Sequence, residues 1–158
     1  MRFELAASRR TQRRIMGLLL AGLILAAGPI WAQEPAAPRF QVIVSARNPV
    51  TELVRTSVSR WFLKQANTWP NGKVVVPLDQ SSRSEVRAAF CIGIHRQSLA
   101  AIESYWQKQI FSGRTLPPFV KVGDAEVMSY VAGNVNAIGY VSGSAALVSG
   151  VKVVTIKE

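Results

Sequence analysis

From residue 40 onward the apolar positions come in short blocks whose spacing alternates between strand-like and helix-like periods. Phe40–Ser45 (FQVIVS) is a β-branched apolar run and predicts a buried strand. Asn48-Pro49 follows, and reads as a helix N-cap with proline at the first helical position. Val50, Leu53, Val54, Val58, Trp61 and Phe62 then keep the i, i+3, i+4 spacing of one packed helix face. Asn71-Gly72 predicts a turn, and Lys73–Leu78 (KVVVPL) a strand covered on both faces. Ser82 or Ser84 caps a helix carrying Val86, Ala89 and Phe90. Ser98 opens a longer one with Leu99, Ile102, Trp106 and Ile110 on a stripe and Gly113 as its stop. Pro117-Pro118 forces an extended segment, and Asp124 caps a helix using Val127, Met128, Val131 and Ala132 that ends at Gly133. Ala137–Val141 and Val151–Ile156 are the closing strands. Strands alternating with helices predict an α/β fold, a mostly parallel sheet flanked by helices.

The first 32 residues follow a different rule. Arg9, Arg10, Arg13 and Arg14 precede an apolar run from Ile15 to Ala27, and Ala32 stands before the polar Gln33. That order predicts a cleavable export signal, cut after Ala32, and hence a periplasmic or otherwise exported protein. The run is shorter than the roughly 20 residues a spanning helix needs, so a retained anchor is the lesser alternative. Ser8-Arg9-Arg10 resembles a twin-arginine signal, but Thr11-Gln12 lacks the apolar residue expected next, and the export route stays open. Residues 33–39, with Pro35 and Pro38, predict a flexible leader, which leaves 40–158 as one domain.

Removing the signal changes the charge argument. The whole chain carries a formal +10, but residues 1–32 hold five arginines against Glu4 alone, so about six positive charges stay on the mature chain. They are spread thinly from Arg39 to Lys157, without a basic run interleaved with aromatics, which argues against a nucleic-acid partner. No second apolar segment long enough to span follows, so no stable membrane insertion is expected after cleavage.

The chemistry available is narrow. A single cysteine, Cys91, and a single histidine, His95, exclude a disulfide framework and a cysteine-based zinc site, and neither a metal nor a cofactor is expected. Cys91 and His95, four apart, are two ligands at most, and Cys91 reads as a small buried apolar residue. Trp61 and Trp106 fall on core stripes, whereas Trp69, beside Pro70-Asn71-Gly72, is expected in a partly exposed turn. No nucleophile and base pair can be named, so an enzyme is not expected. One cluster resembles an oxyanion cradle: Ser81, Ser82, Arg83, Ser84 and Arg87, where hydroxyls, helix N–H groups and a guanidinium meet an anion. The plainer alternative has a serine capping a helix and Arg83 and Arg87 solvated around Glu85.

The order of these motifs carries a resemblance. Asn48-Pro49-Val50, Trp61-Phe62-Leu63-Lys64, Trp69-Pro70-Asn71-Gly72 and Val75-Val76-Pro77-Leu78-Asp79 are similar to one stretch of the phosphate-binding proteins of ABC importers. Tyr105-Trp106, Ile110-Phe111-Ser112-Gly113, Pro117-Pro118 and Asn136-Ala137-Ile138-Gly139-Tyr140-Val141 continue it in the same order, over residues 40–156. The resemblance implies a type II periplasmic-binding-protein fold and an exported solute-binding module for phosphate or another small oxyanion. Two departures qualify it. About 120 ordered residues suffice for a single lobe, not for a two-lobed clamp. The family's phosphate loop offers an arginine and a Ser-Gly-Thr run, whereas Ser81–Arg87 has no glycine and includes Glu85. The alternative is therefore a non-enzymatic interaction or structural module that kept the fold and lost the ligand, working through a protein partner or a homodimer at an exposed sheet edge.

Overall fold

The computed structural model describes residues 39–158; the expected signal, and all of the leader but Arg39, lie outside the described residues. The chain begins with strand β1 (Phe40–Ser45), followed by a short β2 (Glu52–Val54) and helix α1 (Arg55–Phe62). Strand β3 (Val76–Gln80) leads into α2 (Glu85–Phe90), which continues as a π-helical segment (Cys91–His95) and is followed by α3 (Leu99–Phe111). Strand β4 (Phe119–Lys121), α4 (Asp124–Gly133), β5 (Ala137–Ser142), β6 (Val151–Val153) and β7 (Thr155–Lys157) complete the order.

Five strands form one sheet in the order β4-β3-β5-β1-β6. β3 is parallel to both β4 and β5, while β1 runs antiparallel between β5 and β6, so four of the five point one way. The expected α/β class with a mainly parallel, helix-flanked sheet is what is observed. Alternation explains why both faces are covered. Val42, Val44, Ile138 and Tyr140 point into a core shared with Val58, Trp61 and Phe62 of α1 and with Phe90 of α2. Ile43, Leu78, Ala137 and Val141 point the other way, onto Val127, Met128 and Val131 of α4. Gly139 belongs to that second face, where a Cβ would come within 2.5 Å of Val127 Cγ1, so α4 packs directly on the strand's backbone. No helix among the described residues is long and apolar enough to cross a membrane.

Several expected elements are corrected. No helix starts at Asn48: its Oδ1 accepts from Val50 N (3.0 Å) and its Nδ2 donates to Val135 O (2.9 Å), an Asx turn that ties the loop to the start of β5. The following residues pair β2 in parallel with β7, and helix geometry begins only at Arg55. The closing strand Val151–Ile156 is two strands, because buried Val154 donates to Val42 O and the chain then leaves the main sheet for β2. The second strand lies later than Lys73–Leu78 and runs on to Gln80, carrying Asp79 and Gln80 into the interior. The α3 stripe holds at Ile102 and Trp106 but runs out at half-exposed Ile110. Trp69 is not a contact residue: it is 3% exposed, packs on Trp61 and donates from Nε1 to Asn136 O (3.1 Å).

Candidate functional site

The carboxyl ends of β3, β4 and β5 meet the N-terminal ends of α2 and α4, which lie on opposite faces of the sheet. Crevices at such strand ends are where open α/β sheets hold ligands. Here the crevice is a cleft of about 520 Å³, walled by Gln80, Ser81, Arg83 and Ser84 on one side and by Val122, Asp124 and Ser142 on the other. Of the five residues expected to form a cradle, Ser81, Arg83 and Ser84 line it. Ser82 sits exposed on the crown of the loop, and Arg87 does not line the cleft.

Each position has a local cause. Ser81 N donates to Lys121 O (3.0 Å), which pins the loop's start to the end of β4, and Ser81 Oγ accepts from Arg83 N (3.4 Å). Ser84, one of the two expected caps, is the N-cap of α2 and accepts from Arg87 N. Its hydroxyl proton goes to Gln80 Oε1 (2.8 Å), so Ser84 shapes the loop and has no proton left for a ligand. Asp124 lies in the first turn of α4 rather than at its cap, which is Gly123. Its carboxylate accepts from Gln80 Nε2 (2.9 Å) and from Ser142 N (3.1 Å), joining α4 to β3 and β5. Gln80 Nε2 also donates to Tyr140 O (3.0 Å), so this one buried carboxamide fixes three walls of the cleft.

Arg87 is consumed by the interior. Its guanidinium meets Asp79 at 3.0 Å with both side chains only 9% exposed, and its Nε has no hydrogen-bond partner. Asp79 Oδ1 also accepts from the Tyr140 hydroxyl and from Gln80 N (2.8 Å). Burial pushes the Asp79 carboxyl above its ordinary value, against Arg87 and these hydrogen bonds, which pull it down. Burial and the neighbouring Asp79 charge push the Tyr140 hydroxyl well up, so it stays protonated and donates. Beside them, burial first and the Arg87 charge second lower His95 to about 4, leaving a neutral ring in a 2.9 Å hydrogen bond with Ser59 Oγ. Cys91 is buried, as expected of a small apolar residue, and burial raises its thiol to about 11.

The cleft therefore holds one cation, Arg83, which makes no ion pair among the described residues, and one anion, Asp124. Glu85, which the sequence placed beside the cradle, lines a neighbouring groove instead. Gln80 and Asp124 were missed because the strand was expected to stop at Leu78 and Asp124 was read as a cap; the polar pair Asp79-Gln80 directly after the apolar run was the available signal.

No protein-family model matches the sequence, and no curated protein does. Solved structures do match. A phosphate ABC transporter substrate-binding protein from Clostridium perfringens, with bound phosphate, aligns at a TM-score of 0.58 and 21% identity over 74% of this chain. An ABC-type phosphate transport receptor from Vibrio cholerae aligns at 0.57 and 20% identity, also over 74% of this chain. This chain has the fold of phosphate-type substrate-binding proteins. The likeness extends over 44% and 45% of those two chains, so this chain spans less than half of their length. Both neighbours are binding proteins, and the resemblance seen in the motif order fits them.

Proposed function

We propose that this chain is a non-enzymatic solute-binding module, exported to the periplasm by its N-terminal signal, that holds a small oxyanion of the phosphate class and presents it to a partner. The observation that carries this reading is the cleft at the carboxyl ends of β3, β4 and β5 with the unpaired Arg83 guanidinium in its wall. Arg83 supplies the charge and Ser81 a hydroxyl, while first-turn N–H groups of α2 and α4, which lack intrahelical partners, complete the anion's shell. Ser82 adds a hydroxyl from the crown of the loop, Ser84 holds the loop's shape, and Arg87 acts at a distance by neutralising Asp79. With one cation set against one carboxylate, binding is modest, in the high micromolar to millimolar range expected when net charge contributes little.

Isothermal titration with phosphate and with sulfate tests the reading. Binding is expected, and Arg83→Ala should weaken it about 10- to 100-fold, the worth of a hydrogen bond to a charged group. No heat at millimolar anion would remove the oxyanion and leave the interaction module as the better account.

A further inference from the structure

We infer that the ligand of this cleft is dipolar: an oxyanion that carries its own ammonium group, with the oxyanion at Arg83 and the ammonium at Asp124. The inference rests on the oxyanion reading proposed above and narrows it to aminoalkyl phosphates, compounds of the phosphoethanolamine type.

The two walls of the cleft carry opposite charges. Arg83 is exposed and Asp124 half-buried, and neither makes an ion pair among the described residues. A bare dianion placed at Arg83 faces the repulsion of Asp124 from the other wall. A ligand with both signs meets each wall with the opposite charge. The guanidinium fork of Arg83 matches phosphate oxygens.

Asp124 is prepared for a cation in two respects. Its Oδ1 accepts from Gln80 Nε2 (2.9 Å) and its Oδ2 from Ser142 N (3.1 Å). A carboxylate offers about four lone-pair sites, so about two stay open to the donors of an ammonium group. The same two bonds fix the carboxylate's orientation, so little side-chain freedom is lost when a cation docks.

Size and lining point to the same class. The cleft's volume of about 520 Å³ falls in the range of roughly 300–1,000 Å³ typical of small-molecule sites. Its lining includes Val86 and Val122, the latter 78% exposed. Inorganic phosphate, a single atom surrounded by four oxygens, has nothing to lay against these valines. The carbon spacer of an aminoalkyl phosphate covers them.

Isothermal titration of the purified protein with phosphoethanolamine and with ethyl phosphate, which has the same spacer and no ammonium, tests the inference. Phosphoethanolamine should bind about five- to tenfold more tightly, the worth of one partly exposed charged hydrogen bond. Asp124→Asn should bring the two within about twofold of each other, a ratio that a general weakening of the cleft does not alter. In the unmutated protein, the Ser142 and Asp124 amide resonances should move with phosphoethanolamine and much less with ethyl phosphate. Ethanolamine lipid headgroups share this chemistry, so vesicles of phosphatidylcholine with and without phosphatidylethanolamine form a second arm. Binding of the free compound alone supports the inference with a solute as ligand; added co-sedimentation with the ethanolamine vesicles, lost in Arg83→Ala, supports it with a headgroup. Equal affinity for phosphoethanolamine and ethyl phosphate, or a preference that survives Asp124→Asn, would overturn it and leave the oxyanion reading standing. No binding of either compound or of phosphate would remove both.

Discussion

The stretch from β3 to α2 carries two arginines four residues apart, and they end in opposite surroundings. Arg83 precedes the helix and lines the cleft; Arg87, the third residue of the helix, is buried against Asp79, whose carboxylate also accepts from the Tyr140 hydroxyl. Side chains at i and i+4 share a face only when both belong to one helix, and here the Ser84 cap falls between them. One arginine is thus available to a ligand while the other neutralises a buried carboxylate. The difference separates binding from stability within a single motif: Arg83 should matter to ligand and hardly to folding, Arg87 the reverse.

The largest effect expected from this contrast is on Arg87. Arg87→Ala removes the cation that offsets the burial of the Asp79 carboxyl and should cost about 3–5 kcal/mol in chemical denaturation, with Asp79→Asn on the same background restoring part of it. Arg83→Ala should stay within about 0.5 kcal/mol. Equal losses for the two would dissolve the distinction.

His95 probes the same interior through pH. Its folded value of about 4 lies below the ordinary histidine value of 6.5, so the unfolded chain binds more protons between them. The stabilisation is complete above pH 6.5 and is lost as pH falls toward 4, about 3 kcal/mol in all. Denaturation midpoints at pH 7 and pH 4.5 should show this loss, and His95→Gln should reduce it.

A smaller effect belongs to the boundary between the two regions. Ser84→Ala removes the α2 cap and the donor to Gln80 Oε1, for about 1–2 kcal/mol by thermal or chemical unfolding. Because its hydroxyl proton is already engaged, the same change should reduce phosphate affinity less than Arg83→Ala. A larger loss at Ser84 would mean that the hydroxyl turns to the ligand.

Much of the fold was legible because its signals are local. The buried strands at Phe40–Ser45 and Ala137–Val141, the Ser84 and Ser98 caps and the stop at Gly113 each depend on residues a few positions apart. What escaped depends on partners far along the chain. Asn48 is held by Val135, β2 exists only because β7 lies beside it, and Trp69 is buried through Asn136. The site divides the same way. Ser81, Arg83 and Ser84 could be named from their spacing, whereas the burial of Arg87 requires Asp79 and Tyr140, and the cleft's far wall comes from Asp124 and Ser142.

The central claim, an oxyanion held at Ser81–Ser84 with Arg87 kept for the interior, is tested most directly by titrating phosphate into the isotope-labelled protein and following its amide resonances. Saturable shifts should concentrate at Ser81–Val86 and Gly123–Asp124, and Arg83→Ala should move their midpoint to about 10- to 100-fold higher phosphate. No shifts at millimolar phosphate, or shifts scattered over the surface lysines and arginines and unaffected by Arg83→Ala, would contradict it.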